Sequence, residues 1–340
     1  MVGFNDIDAE NMMKIGLKAM LLTLCTGLAL ACAAARAQAP GGDGYPSKPI
    51  TLVVGYPPGG STDLTGRVLA QELGKKLGVP VVVENLGGAG GTIGAQKVAS
   101  AAPDGYTLLA GANNEIAIAR LISSGVKYGL ADFTPIGLIA SQPMVLVASP
   151  GSGVKDLDGF LRRVQSNPGK YSYGSSGVGT ALHLAGEMLK QQAGIFMTHI
   201  PYRGVAPLTN DLLGGNIDFG VFVLSSGLPH IRAGKLTALG VTQPQAAAVA
   251  PEVPPLASHP RLKGLDISSW FALMAPARLP EPVAAKLRKA LAEALQAPEL
   301  RKKLEDAGSV IAPLNVDMPR FLAAETAKYQ KIVDFAKIRE

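Results

Sequence analysis

One device, used twice in succession, constrains this chain more than anything else: an apolar strand runs into a glycine-rich turn, and a helix starts at once. The first copy reads Ile50-Thr-Leu-Val-Val-Gly-Tyr-Pro-Pro-Gly-Gly-Ser-Thr-Asp63, the second Val81-Val-Val-Glu-Asn-Leu-Gly-Gly-Ala-Gly-Gly-Thr92. Leu64, Val68, Leu69, Leu73 and Leu77 recur at helical spacing after the first turn and predict an apolar stripe on a helix near 63–77. A second helix is expected near 92–101, then a turn at Pro103-Asp-Gly105 and a third strand over 106–111. Strands alternating with helices through short connections require a parallel sheet, because a hairpin cannot join parallel neighbours. Open α/β sheets bind ligands beyond the carboxyl ends of their strands, which is where both turns lie. Glycine lets backbone N–H groups come close, and a helix start adds partial positive charge. Together the turns form a cup suited to a small anion.

The device returns later in the chain. A strand over 143–149 opens a new unit, and a helix over 157–166 stops at Asn167-Pro-Gly169. A strand over 170–174 enters a third small-residue turn, Ser175-Ser-Gly-Val-Gly-Thr180, followed by a helix over 181–193. Further strands are expected over 197–201, 218–223, 236–241 and 267–274, and helices over 206–213, 280–297, 298–307 and 319–336. The apolar runs 143–149 and 267–274 predict strands that cross between two lobes, and paired crossings make a hinge. The expected architecture is α/β, with one lobe from 45–143 plus 265–340, a second from 144–264, and a ligand cleft between them.

Composition narrows what the cup can serve. With 47% hydrophobic and 17% charged residues the 340-residue chain is globular, and its net charge of +6 is spread without a basic, aromatic-interleaved run, which argues against nucleic acid. Lys14 and Lys18 precede the apolar stretch 19–35, and the small-residue sites Ala35-Arg-Ala37 and Ala37-Gln-Ala39 follow, so residues 1–39 read as a cleaved export signal. Asp6, Asp8 and Glu10 are foreign to a signal, so the start is expected at Met12 or Met13, with residues 1–11 a misassigned start. Ala29-Leu-Ala-Cys32 is only a weak match to a lipid-attachment site. Both cysteines, Cys25 and Cys32, fall within the signal, so the exported protein is expected to lack disulfides and thiol chemistry.

The usual catalytic signatures are missing. Val178 stands where a nucleophile elbow needs its second glycine, Ser61 follows Gly60 where a phosphate-binding loop needs lysine, and Gly88-Ala-Gly90 runs on to Ile93 rather than completing a dinucleotide fingerprint. His183, His199, His230 and His259 have no metal-ligand spacing. No enzyme, cofactor or metal site is expected.

Taken in order, the motifs closely resemble the Bug (TctC-like) family of extracytoplasmic solute receptors. The matching stretches include Pro57-Pro-Gly-Gly-Ser-Thr-Asp63, Gly88-Ala-Gly-Gly91, Ala102-Pro-Asp-Gly-Tyr-Thr-Leu108, Asp132-Phe-Thr-Pro135, Tyr173-Gly-Ser-Ser-Gly-Val-Gly179, Pro201-Tyr-Arg-Gly204 and Ser269-Trp270. The resemblance implies a type II periplasmic-binding-protein fold that closes on a small carboxylated solute. It also implies membrane subunits of a tripartite tricarboxylate-type transporter as partners, with a monomer expected. A signalling co-receptor of the same fold is the alternative, and an exported enzyme the third reading.

The resemblance further implies that the solute carboxylate lies against three turns. The first contributes Pro58, Gly59, Gly60, Ser61 and Thr62, with Tyr56 as a wall; the second Gly88, Ala89 and Gly90; the third Ser175, Ser176 and Thr180, with His183 behind. Asp63 is expected to cap its helix. Tyr202 and Arg203 could face the cleft, although solvation is the commoner fate of such an arginine, and Trp270 is expected in the hinge core. Two departures bear on the ligand: Phe222-Val223 replaces a polar pair, and Asn113-Asn114-Glu115 stands where Thr/Ser-His is common. With Asn113, Phe222 and Val223 at the far end, a monocarboxylate with an apolar or aromatic body is the expected solute. Glu115 is expected at the surface as a charge on a helix N-terminus or, should it face the cleft, as a group that repels an anion and attracts an ammonium.

Overall fold

The first strand shows no alternation of polar and apolar residues, and the structure explains why: both of its faces are covered. The structure, a computed structural model, describes residues 44–338; the export signal, both cysteines and the candidate starts lie outside the described residues. Strand β1 (Ile50–Val54) runs parallel to β2 (Val81–Asn85) on one side and to β3 (Thr107–Ala112) on the other. Helices α1 (Ser61–Leu77) and α2 (Thr92–Ala99) make the crossovers. Leu69 and Leu73 are fully buried, but Leu64 at the head of the expected stripe is 37% exposed, because it sits beside the open first turn.

Past β3 the chain enters a π-helical turn (Asn114–Ile118) that continues as the short α3 (Ala119–Ile122). Strand β4 (Phe133–Ala148) follows and ties the molecule together. Its first part pairs antiparallel with β9 (Ser268–Pro276), which in turn pairs with β3. Its last five residues pair instead with β7 (Phe219–Val223) and β8 (Thr237–Val241). In the second lobe β7 is parallel to β5 (Ser172–Ser175), and β5 to β6 (Thr198–Pro201). The strand order is β2-β1-β3-β9-β4-β7-β5-β6, with β10 (Val310–Ile311) on β4. Helices α4 (Leu157–Gln165), α5 (Ala181–Ala193), α6 (Val205–Leu213) and α7 (Leu224–Arg232) cover the second sheet region; α8 (Glu281–Ala294), α9 (Pro298–Asp306) and α10 (Met318–Ala336) follow β9. This is the expected α/β architecture of two lobes joined through β4.

The change of partner along β4 falls at Pro143 and Met144, where the pairing passes from Ser268 to Val223. Proline cannot donate to a ladder, so the strand is free to bend there. The return crossing runs alongside and is pinned by Thr242. Its N–H donates to Met144 O at 2.8 Å, while its Oγ accepts from Met144 N–H at 3.1 Å and donates to Ile267 O at 2.6 Å. Thr242→Val keeps the shape but strands a buried N–H and a buried carbonyl. We expect a loss of about 1–3 kcal/mol, read as a lower denaturant midpoint with an unchanged slope; an unshifted midpoint would show that the hinge does not need this hydroxyl.

Besides the π turn with α3, and β10, which the sequence expectation lacks, two departures have a local cause. Strand β4 begins at Phe133 rather than 143. Pro135 and Gly137 hide it, and the pairing with β9 slips at both Pro135/Gly137 and Leu138/Ala140, so no clean alternation survives. Helix α7 has no counterpart in the sequence expectation, because Pro229 lies inside it and Ser225-Ser-Gly227 reads as a turn. Trp270 is 1% exposed, packed edge-on against Phe321 with ring centres 5.2 Å apart. Among the described residues no helix is long and apolar enough to cross a membrane.

Candidate functional site

The first two turns are pressed backbone to backbone. A Cβ on Gly55 would come 2.7 Å from Gly91 O, and one on Gly94 would come 2.9 Å from Gly55 Cα. Asn85 stitches the pair, donating to Tyr56 O at 2.9 Å and to Asp63 Oδ1 at 2.8 Å. Asp63 does not occupy the cap itself, which falls on Gly60. From the first helical turn it reaches back to the Gly59 N–H at 2.9 Å and pairs with Arg67 at 3.0 Å. Burial alone would raise its pKa, but the hydrogen bonds from Arg67, Gly59 and Asn85 outweigh that and hold it below the ordinary value. Its charge is therefore spent on shaping the first turn.

The third turn is held from behind. Thr180 caps α5, its hydroxyl accepting from His183 N–H at 3.3 Å and donating to Gly177 O at 2.9 Å. His183 Nδ1 accepts from Gly179 N–H at 3.0 Å, and its ring stacks on His199 with centres 3.7 Å apart. Burial lowers both imidazoles, to about 4 for His183, with Lys190 adding to it, and to about 3 for His199, with His183 adding to it. Both rings are neutral at pH 7. Ser175 Oγ lies 2.8 Å from His199 Nε2 and donates to Gly177 O at 3.0 Å.

Between the second and third turns lies a cavity of about 260 Å³. The second turn lends it Ala89, Gly90 and Thr92; the helical segment after β3 lends Asn114, Ala119, Ile122, Ser123 and Val126; the third turn lends Val178, Gly179 and Thr180. Among the described residues no lining side chain is charged. Polar groups on Thr92, Asn114, Ser123 and Thr180 share this lining with the aliphatic Ala119, Ile122, Val126 and Val178.

Of the expected contacts, Ala89, Gly90 and Thr180 meet in this lining. Pro58, Gly59, Gly60 and Gly88 are exposed outside it, while Ser61 is half-buried and Thr62 buried on α1. Tyr56 turns beneath the second turn, its hydroxyl 2.9 Å from Gly90 O and 2.7 Å from Glu115 Oε2. Ser175 is fully buried, so its hydroxyl serves the turn rather than the cavity, and Ser176 lends its carbonyl to Gly204 N–H. His183 stands behind the turn. Asn113 faces the core, donating to Tyr329 Oη at 2.9 Å and to Ser268 O at 3.1 Å. Phe222 is fully buried among Val145, Leu208 and Leu212, on the face of β7 opposite Val223, which packs into the other core cluster. Neither reaches the cavity. Tyr202 donates to Asp211 at 2.7 Å, and Arg203 is exposed.

Glu115 corrects the expectation most. It is 1% exposed, not a surface charge, and its carboxylate accepts from Ala112 N–H at 2.6 Å and from Tyr56 Oη at 2.7 Å. Burial pushes its pKa up to about 7 against the pull of those hydrogen bonds. The residues that sequence reasoning missed, above all Asn114, Ile122 and Val126, follow β3 through the π turn. That turn inserts an extra residue, so helical or strand spacing misplaces the faces, and such turns recur at functional sites. The apolar run Ile116-Ala-Ile-Ala119 with Leu121 and Ile122 was the available signal.

Comparison with known proteins meets this geometry. Residues 65–338 match the family described as Tripartite tricarboxylate transporter family receptor. Protein BugT of Bordetella pertussis is 34% identical over 296 residues, covering 86% of this chain and 90% of that protein. The structure of Rhodopseudomonas palustris Rpa4515 with adipate superposes with a TM-score of 0.79 at 30% identity, covering 87% of this chain and 99% of that one. MatC from the same organism, with bound malate, gives 0.74 at 30% identity over 85% and 100%. Two α/β lobes, turns facing across a cleft and a match over most of the length lead to one assignment: the chain belongs to the tripartite tricarboxylate transporter receptor family, as a Bug-type solute-binding protein.

Proposed function

We propose that this receptor captures one small monocarboxylate with an apolar body, in the periplasm after removal of its export signal, and delivers it to the membrane subunits of a tripartite transporter. The lobes are 45–143 with 265–340, and 144–264, closing about the Pro143 and Ile267 crossings. The observation that supports the ligand class is a lining that has no charged side chain among the described residues, with Ala119, Ile122, Val126 and Val178 beside Thr92, Asn114, Ser123 and Thr180. Backbone amides near Ala89 and Gly90 can hold one carboxylate without a cation, and the Thr92 and Thr180 hydroxyls can join them only by giving up their bonds to Ala89 O and Gly177 O. A second carboxylate would have to share those few donors, and one left unpaired beside the aliphatic groups would lose its hydration at a cost of several kcal/mol.

Relatives solved with adipate and malate hold dicarboxylates, which makes a direct contest informative. Calorimetric titration of the exported protein is expected to show benzoate or hexanoate binding at least ~10-fold tighter than malate or citrate, since about 1.4 kcal/mol separates each decade. Tighter malate or citrate binding would refute the monocarboxylate assignment. Recovery of the solute unchanged after denaturation separates a receptor from an enzyme.

A further inference from the structure

We propose that Asn114 is the closing latch of this receptor, accepting from the second lobe's Ala181 N–H while held by the first lobe's Tyr56. The proposal builds on the receptor reading above and adds a residue that controls closure. Asn114 Oδ1 accepts from Ala181 N–H at 2.8 Å, and Asn114 Nδ2 donates to Tyr56 Oη at 3.2 Å. The two ends of the amide are not interchangeable. Ala181 N–H can only donate, so it faces the oxygen. The Tyr56 proton is directed at Glu115 Oε2 or Gly90 O, so its oxygen is left to accept from the NH2.

Ala181 opens α5, where the first backbone N–H groups have no partner within the helix. Thr180 satisfies His183 N–H from within the second lobe, whereas the Ala181 donor is satisfied across the cleft. Asn114, Gly179 and Thr180 also line the cavity, so the latch forms part of the wall that encloses a solute. Gly179 fits tightly against Ile122 of the first lobe, since a Cβ there would come 2.6 Å from Ile122 Cδ1. Polar latch and apolar contact thus lie side by side, and closing the lobes makes both at once.

Two variants of the exported protein test this, each checked first for an unchanged circular dichroism spectrum. Hydrogen exchange is read at the Ala181 amide, with the Leu184 amide, bonded within the second lobe to Thr180 O at 3.0 Å, as the internal reference. Asn114→Ala removes the acceptor, so Ala181 is expected to exchange about 5- to 10-fold faster while Leu184 is unchanged, the size of one ordinary hydrogen bond. Benzoate dissociation should quicken by a similar factor with little change in association. Asn114→Asp keeps the acceptor but places a negative charge in the cavity wall. Ala181 should stay protected while benzoate affinity falls at least ~10-fold.

Equal exchange in Asn114→Ala and wild type would overturn the latch, as would parallel acceleration at Ala181 and Leu184, which marks fraying of α5. Loss of Ala181 protection in Asn114→Asp would overturn it too. If wild type binds neither benzoate nor any other carboxylate tried, the receptor's ligand assignment fails, yet the Ala181 exchange still decides the latch.

Discussion

Gly55→Ala is expected to destabilise the protein by about 2–4 kcal/mol and to abolish solute binding. The added methyl would lie 2.7 Å from Gly91 O and 2.8 Å from Gly91 Cα. Both are backbone atoms, so no side-chain rotation relieves the clash. The first and second turns must move apart, and the second turn carries Ala89 and Gly90 of the cavity lining. The test is a denaturant melt paired with calorimetry. Gly74→Ala serves as the contrast, because a Cβ there meets nothing closer than Val79 O at 3.4 Å and the site lies inside α1. That variant is expected to gain about 0.5–1 kcal/mol by restricting the unfolded chain. If the two substitutions behave alike, the close approach of the turns is not what Gly55 provides.

Glu115→Gln is expected to add about 3 kcal/mol of stability at pH 8 and almost none at pH 4.5. The folded protein holds this carboxyl at about 7 against an ordinary 4.5, because burial disfavours the ion. A raised carboxyl pKa means that the folded state binds the proton more tightly than the unfolded chain does. Its contribution is full below pH 4.5 and is lost as the pH rises through 7. Glutamine stays neutral throughout and can preserve both contacts, accepting from Ala112 N–H and donating to Tyr56 Oη. His183 and His199 act in the opposite sense, since their lowered pKa values cost stability as the pH falls below 6.5. The difference between variant and wild type therefore isolates Glu115. Melting both proteins from pH 4.5 to 8.5 decides the matter, and a difference that does not change with pH would refute the assignment.

The same proton bears on binding. Tyr56 links Glu115 to Gly90 O, and a Cβ on Gly91 would come 2.8 Å from Glu115 Oε2. An anionic solute at the second turn favours the protonated acid, so carboxylate affinity should weaken between pH 6 and 8 in wild type but not in Glu115→Gln.

Much of this protein was legible before folding. Glycine turns between strand and helix announced the α/β crossovers, because period-two and period-3.6 apolar patterns depend only on neighbours in sequence. Ala89, Gly90 and Thr180 could be placed at the cavity for the same reason: each sits at a strand's carboxyl end, and sheet topology puts those ends together.

What the tertiary structure decided lies where residues distant in sequence compete for one space. Asn113 and Asn114 are adjacent and chemically identical, yet one bonds Tyr329 in the core and the other Ala181 across the cleft. Only the π turn between β3 and α3 determines which faces which way. Phe222 looked like a pocket wall until the pleat of β7 turned it into the core. Glu115 carried no mark of burial in its own neighbourhood; it is the packing of Tyr56 and the second turn over it that removes its water and raises its pKa. Local sequence sets the order of the elements, whereas desolvation and pairing depend on what the fold brings from elsewhere.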